Sequence, residues 1–507
     1  MTSPSIVPQL RFVNQLPAWC RQALLRRNRH LKRRDLHQLA LDPTVLPRFV
    51  RESAVAMRYL HLLGPLAWSH FPERDLETDW GMPTVPYAPF VAACLVKLDQ
   101  QKVYMSKLRE YLVEHPALVW VLGFPLVASS RYACGFDVEA SLPTHRHFTR
   151  MLHKVPNASL QFLLDSTVSL IQAELATEIN DFGQAISLDT KHIIAWVKEN
   201  NPKAYLLRKD RYDKSKQPSG DPDCRLGCKR RRNQRTSASS EENASPPTPT
   251  ANPVPAKNVR VGEFYWGYGS GIVATKVPGW GEFVLAELTQ PFDCGDVSYF
   301  FPLMADTDRR LGFRPRFGAF DAAFDAWYVY AYFHRSDEKE AFAAVPFSKK
   351  GGHKRSFSSE GLPLCKAGLP MPLKQTFISK TSLVEHERGR YVCPLHFPKE
   401  TSEACPIDYK DWAKKGCVTT LATSVGARIR HQLDRHSETY TQIYKQRTAT
   451  ERINSQAVAL GIERPKLRNQ QAIANQNTLI YVLINLRALH RLRRKKAKRD
   501  SANQPTR

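Results

Sequence analysis

Two segments of this chain read as buried strands that each run into an aspartate. In GQAISLDTKHIIAW, Ala185, Ile186 and Leu188 are apolar and Asp189 closes the run. In RFGAFDAAFD a shorter apolar approach ends at Asp321. Asp325 would follow about one helical turn later if a helix starts there, so Asp321 is preferred because it ends the approach directly. Further strand-like stretches, FYWGYGSGIVATKV and GEFVLAELT, alternate with helical ones, which predicts an α/β fold.

A third carboxylate comes from YKQRTATERINSQAV, residues 444 to 458. On one helix the spacing of Tyr444, Arg447 and Glu451 puts all three on one face. Arginine grips a phosphate in a fork, tyrosine donates to it, and glutamate holds a hard cation. A plain solvated helix surface would carry the same trio without function. Joined to Asp189 and Asp321, the glutamate completes the carboxylate set that two-metal phosphoryl transfer needs, where cations neutralise the mutual repulsion.

As a set, these residues resemble the insertion-sequence transposases of the DDE class, in the branch with a Tyr-Arg-Glu-Lys signature. Tyr444, Arg447 and Glu451 match the signature, and Asp189 and Asp321 match the two aspartate positions. DAAFD and ELTQPFDCGDVSYFFPLM resemble the segments around the second aspartate, and the likeness spans most of residues 85 to 492. It implies a ribonuclease-H-like catalytic domain with a β-rich insertion, preceded by a helical DNA-binding region. It implies two Mg²⁺ (or Mn²⁺) ions held by Asp189, Asp321 and Glu451, with Arg447 and Tyr444 positioning a phosphate. Its implied partner is double-stranded DNA, both element ends and target, bound by a homodimer in a cytoplasmic, nucleoid-associated, prokaryotic setting. The family lysine, seven residues past the glutamate, is Val458 here, and Lys445, Arg452 and Lys466 are the cationic candidates to replace it. Two other readings stay open: a transposase-derived DNA-binding protein that has lost its chemistry, and a metal-dependent nuclease without strand transfer.

The formal charge of +26 over 507 residues favours a polyanionic partner. One cluster is Arg26, Arg27, Arg29, Lys32, Arg33 and Arg34. A second, from Arg491 to Arg499, reads as a solvated basic tail that fills 493–507. Residues 1–180 are expected to be helical. In LPTHRHFTRMLHK, Thr144 caps a short helix with Phe148, Met151 and Leu152 inward and Arg146, His147 and Arg150 outward. Short helices, tight turns and a basic outer face fit a helix-turn-helix-like DNA reader, with Arg146 and Arg150 as DNA contacts; a helical bundle whose charged face meets only water has the same pattern.

The catalytic domain is expected over 181–492. A Ser/Pro/Thr-rich, disordered insert interrupts it at 208–258, and a β-rich insertion at 331–440 includes AFAAVPFS, QTFISKTSLVEHE and GRYVCPLHF as short strands. IANQNTLIYVLINLRALHRL reads as a buried helix behind the sheet. No run of about 18 apolar residues occurs, so no membrane span is expected, and the amino terminus lacks a secretory pattern. The ten cysteines should then be reduced thiols. Cys224 with Cys228, and the looser set Cys393, His396, Cys405 and Cys417, have metal-ligand chemistry, but neither has the spacing of a known zinc finger; ordinary core and loop roles are the simpler expectation.

Overall fold

A computed structural model of the chain describes residues 35–74, 86–201, 213–230, 262–335, 340–348, 354–380, 384–409 and 416–502. Its N-terminal part consists of α1 (Ala54–Leu63), α2 (Ala88–Asp99), α3 (Met105–Glu114), α4 (His145–Lys154) and α5 (Asn157–Leu175), with shorter helical turns between them. The hydroxyls of Ser53 and Thr144 cap α1 and α4 by accepting from Ala56 N and His147 N. Helix α2 is apolar on nearly every side, and all of its residues are buried. It ends at Asp99, whose carboxylate accepts from Arg58 (2.6 Å) and Tyr59 (2.9 Å) of α1 and from Arg487 (2.6 Å) near the end of the chain. A buried carboxylate met by three donors locks those elements together, because removing a donor would strand its charge.

The main sheet has six strands: β1 (Ala185–Ile194), β2 (Arg225–Arg230), β3 (Gly262–Val277), β4 (Gly281–Pro291), β5 (Phe317–Ala319) and β6 (Phe342–Ala344). β3 pairs antiparallel with β1, β2 and β4, whereas β1, β5 and β6 run parallel. Across the sheet the order is β2-β3-β1-β5-β6, with β4 also paired to β3. Helix α6 (Phe300–Leu311) links β4 to β5, and α7 (Trp327–Phe333) makes the crossover that the parallel pair β5 and β6 needs. A separate antiparallel sheet follows, β7 (Leu373–Ser379), β8 (His386–Val392) and β9 (Val418–Ala422). Then come α8 (Val425–Gln432), α9 (Glu438–Tyr444), α10 (Thr448–Ala459) and α11 (Gln470–Ala502). The α/β class expected from the alternation of segments is the class observed.

Helices cover both sheet faces. One core joins the N-terminal helices to α10 and α11, with Leu60, Phe90, Leu163, Ile272, Ile453 and Ile480 among its members. The other holds Ile171, Leu188, Val273, Phe300, Phe320 and Phe333. Ile272 and Val273 are neighbours in β3 yet enter different cores, as strand alternation dictates. Helix α5 lines both cores, so packing runs from the N-terminal helices into the sheet without a break.

Three sequence expectations change here. The stretch 208–258 is not all loop: residues 213–230 fold and contribute β2 to the sheet. Tyr268 OH donates to Asp221 (2.7 Å), Gln217 donates to the carbonyls of Asp221 (3.1 Å) and Cys224 (2.6 Å), and Asp223 accepts from Gln470 N at the start of α11 (2.9 Å). The Ser/Pro/Thr-rich part, 231–258, lies outside the described residues. AFAAVPFS belongs to the main sheet as β6, and 331–440 also carries α8 and the end of α7, so only its middle is the β-rich sheet. The basic run 491–499 is no frayed tail but the continuation of α11. Arg493 pairs with Glu174 (2.6 Å), Arg499 pairs with Glu178 (2.7 Å), and Lys495 and Arg499 lie over the Trp280 ring. Acidic residues at the end of α5 draw these cations onto the protein. The cluster from Arg26 to Arg34 lies outside the described residues. Among the described residues no helix is long and apolar enough to cross a membrane.

Asp221→Ala should therefore cost about 1–3 kcal/mol, because the buried Tyr268 hydroxyl loses its acceptor. Shortening 231–258 should change stability by less than about 1 kcal/mol. Urea unfolding of both variants beside the parent checks the pair.

Candidate active site

The parallel register of β1 and β5 places the two aspartates side by side. Ser187 pairs with Ala319 at the last matched position, and Asp189 and Asp321 each lie two residues further on. Neighbouring strands are about 4.8 Å apart, so the carboxylates share one edge of the sheet. Ile186 and Leu188 enter the second core, and alternation turns Asp189 to the opposite face, beside Ile272 of β3. Asp321 caps the turn after β5, its side chain accepting from Ala323 N (2.8 Å).

A third carboxylate joins them that the sequence reading missed. Asp296, in the turn after β4, accepts from Thr190 Oγ1 (2.8 Å), the residue next to Asp189. Burial pushes the Asp189 carboxyl up to about 6, and the charges of Asp321 and Asp296 add to the rise, opposed by the Thr190 backbone N–H and by Arg447. Burial also raises Asp321, with Asp296 adding and the Ala323 N–H and Arg447 opposing. Three carboxylates and one guanidinium therefore act on each other at this edge.

The tyrosine, arginine and glutamate arrive from one side, but not on one helix as expected. Tyr444 ends α9, Arg447 ends a tight 3₁₀ turn over Lys445–Arg447, and Glu451 sits in the first turn of α10. The Thr448 and Thr450 hydroxyls bond back to the carbonyls of Lys445 (2.9 Å) and Arg447 (2.9 Å), which suits such a break. Arg447 still reaches Glu451 (2.6 Å). Burial raises the Tyr444 hydroxyl pKa, and the charges of Asp321 and Glu451 add to it against Arg447, so the ring stands among all three. Tyr440 stacks on it at 5.9 Å.

Ala449, Ile453 and Ala457 hold α10 against the sheet in the first core. One turn past Glu451, on the same side, Asn454 donates to Asp189 Oδ2 (3.1 Å). Asn454 stands inside the quoted signature, and its spacing from Glu451 was the available clue. Glu451 itself is turned onto Arg447, with its side chain 52% exposed. An ion pair that exposed is worth no more than about 1 kcal/mol, so the glutamate can be re-aimed cheaply.

Asp321 and Asp325 differ in their partners. The Asp325 side chain is fully buried and takes both arms of Arg430 (2.8 and 2.6 Å), the Tyr330 hydroxyl (2.7 Å) and Ser348 N (2.6 Å). With its oxygens so engaged it clamps α8 to α7, whereas the charge of Asp321 acts on Asp189. Val458 lies further along α10 and is exposed. Of the cations weighed as substitutes, Arg452 pairs with Glu282 (2.5 Å) and Lys466 lies over Trp196. Lys276 of β3 reaches Thr448 Oγ1 (3.4 Å), beside Arg447, and was not foreseen.

Arg146 and Arg150 are exposed on α4, which packs on α2, α3 and α11 rather than on the strands that carry the carboxylates. His147 departs from expectation: its ring packs on Phe90 at 5.3 Å, because it lies one turn before buried Met151. Cys224 is a buried thiol donating to the Asp221 carbonyl (3.3 Å). Among the described residues no three His, Cys, Asp or Glu side chains already stand in a metal-holding arrangement. No protein-family model matches the chain, and no curated protein matches it.

Because folding raises the Asp189 pKa, its stability contribution is complete below about pH 4 and is lost as pH rises through about 6. Asp189→Asn should keep the Asn454 contact and remove that loss. In EDTA at pH 7 the variant should be more stable than the parent by about 1–2 kcal/mol, allowing for partial exposure, with no difference at pH 4. Urea unfolding at the two pH values checks this.

Proposed function

We propose that this chain is a DDE-type transposase that cleaves DNA at element ends and joins the freed 3′ ends to target DNA. The observation that carries the reading is the meeting of Asp189, Asp321 and Arg447, with Glu451 and Tyr444 beside them, at one edge of a mixed sheet. The sheet supports a ribonuclease-H-like core through its antiparallel β4-β3-β1 half and its parallel β1-β5-β6 half. The donors are hard carboxylate oxygens, which fits Mg²⁺ or Mn²⁺, and burial together with neighbouring carboxylates raises Asp189 and Asp321. Asp189, Asp321 and Glu451 would hold the ions, which when bound activate the attacking oxygen and stabilise the leaving one.

The chain's own residues then do the positioning. Arg447 offers its guanidinium to a phosphate, trading Glu451 for it at little cost. Tyr444, kept protonated by its raised pKa, donates a hydrogen bond. Asn454 fixes the rotamer of Asp189. In the first step a water oxygen bonds phosphorus, the P–O3′ bond breaks, and the 3′ oxygen leaves carrying a proton. In the second, that 3′ hydroxyl attacks a target phosphorus and displaces a target 3′ oxygen. The formal charge of +26 supplies sequence-independent attraction to both DNAs. Exposed Val458 at the family lysine position favours a second reading, a transposase-derived DNA-binding protein without chemistry.

Incubation with supercoiled DNA separates the two: nicking in Mg²⁺ that EDTA abolishes supports the enzyme. Asp189→Asn, Asp321→Asn and Glu451→Gln should each lower cleavage at least about 100-fold, roughly 2.7 kcal/mol, with gel-shift affinity nearly unchanged. Asp325→Asn should instead lose folding stability by about 3 kcal/mol. Normal cleavage by Asp321→Asn would sink the site assignment.

The exposed arginines of α4 are proposed to read DNA sequence. Arg146→Ala or Arg150→Ala should cost about 1–3 kcal/mol of preference for terminal-repeat over random duplex. Equal losses on both duplexes in paired titrations would make α4 a phosphate clamp instead.

A further inference from the structure

We infer that Cys365, Cys393, Cys417 and His396 form a structural Zn²⁺ site that pins the small sheet of β7, β8 and β9. The sequence pointed to Cys405 as the fourth donor. The fold brings Cys365 in its place.

The strand register does the assembling. Val392 of β8 pairs with Val418 of β9 at the end of their ladder. Cys393 follows the first and Cys417 precedes the second, so the two thiols face each other across the strand ends. The Cys417 thiol lies near those of both Cys393 and Cys365 and interacts with each. Cys365 is delivered by a tight loop closed by the Leu364–Pro370 bridge, with Cys365 N donating to Leu369 O (2.9 Å) and Gly368 N donating to Cys365 O (3.0 Å). In a tetrahedral zinc site with Zn–S near 2.3 Å, sulfurs lie roughly 3.8 Å apart. Cys405 stands in another turn, its carbonyl accepting from Asp408 N (3.2 Å).

The imidazole comes from the same turn as Cys393. His396 N donates to Cys393 O (3.2 Å). A Cβ added to Gly416 would lie 2.8 Å from His396 Cδ2 and 3.1 Å from Cys393 Sγ, so the ring edge that carries Nε2 and the thiol flank one backbone position next to Cys417. The other ring nitrogen, Nδ1, lies 3.5 Å from Glu400 Oε1. Metal-bound histidines commonly have this arrangement, one nitrogen toward the ligand set and the other toward a carboxylate. Rotation of these side chains must close the set, since no such group stands in a metal-holding arrangement as it is.

The small sheet also needs such a staple. Its buried apolar side chains, Met371, Val392, Cys393 and Leu395, belong to neither hydrophobic core. Strand β7 is exposed at every position but its last. A sheet with so little of its own to bury is the kind that a structural metal holds together. Three thiolates and an imidazole select zinc over the hard cations suited to the carboxylate site.

The test is metal content of the full chain purified in reducing buffer, by elemental mass spectrometry. About one Zn²⁺ per chain is expected in the parent, in Asp189→Asn and in Cys405→Ser, and near none in Cys365→Ser, Cys393→Ser or Cys417→Ser. Co²⁺ added to the zinc-stripped parent should give thiolate charge-transfer and tetrahedral d–d bands, a readout that needs no variant to fold. A parent that takes up neither metal, a Cys393–Cys417 disulfide in the reduced protein, or Cys405→Ser losing zinc as Cys365→Ser does would each overturn the proposal. None of these readouts depends on DNA cleavage.

Discussion

The parallel pairing of β5 with β1 is the constraint on which the site depends. Strand β5 is only three residues long, and a slip of one residue would turn Asp321 to the opposite face. Its register is held from outside the ladder. Arg316 N and Phe317 N both donate to Gln184 O, and Phe320 N donates to Ala344 O of β6. Gly318 adds a steric condition, since a Cβ there would lie 2.3 Å from the Phe320 ring and 2.5 Å from that of Phe333. The aromatic cluster of Phe300, Phe320, Phe324 and Phe333 can close over β5 only because position 318 has no side chain.

A second set of contacts brings the glutamate-bearing helix to that edge. Arg430 and Arg435 of the segment after β9 reach back to Asp325, Tyr330 and the Val345 carbonyl, which anchors the chain just before α9. Gly426 lets α8 approach α7, where a Cβ would lie 2.0 Å from Trp327 O. From there Ala449, Ile453 and Ala457 seat α10, and Asn454 completes the fit on Asp189. The segment between Asp321 and Glu451 thus orients α10, and Asp325 serves as its clamp.

Electrostatics and stability oppose one another at the sheet edge. Partial burial raises Asp189 and Asp321, and Asp296 adds to both. Ionisation of these groups therefore works against folding near neutral pH, and Arg447 offsets only part of it. Perturbed carboxylates of this kind cluster at functional sites, though structural ion-pair networks produce them too.

Local periodicity was readable from the sequence. Alternation marked β1 and the position of Asp189, the cap at Thr144 marked α4, and the apolar run after residue 470 marked α11. The Tyr444, Arg447 and Glu451 spacing was readable too, though not the 3₁₀ turn inside it. What the sequence left open all involves partners distant along the chain. Arg430 settles the role of Asp325, Thr190 holds Asp296 near the aspartates, Glu174 and Glu178 capture the basic end of α11, and Cys417 meets Cys365 instead of Cys405. Strand and helix periods repeat over a few neighbouring residues and so are written locally. Which distant groups meet depends on strand register and core packing, and only the folded chain decides those.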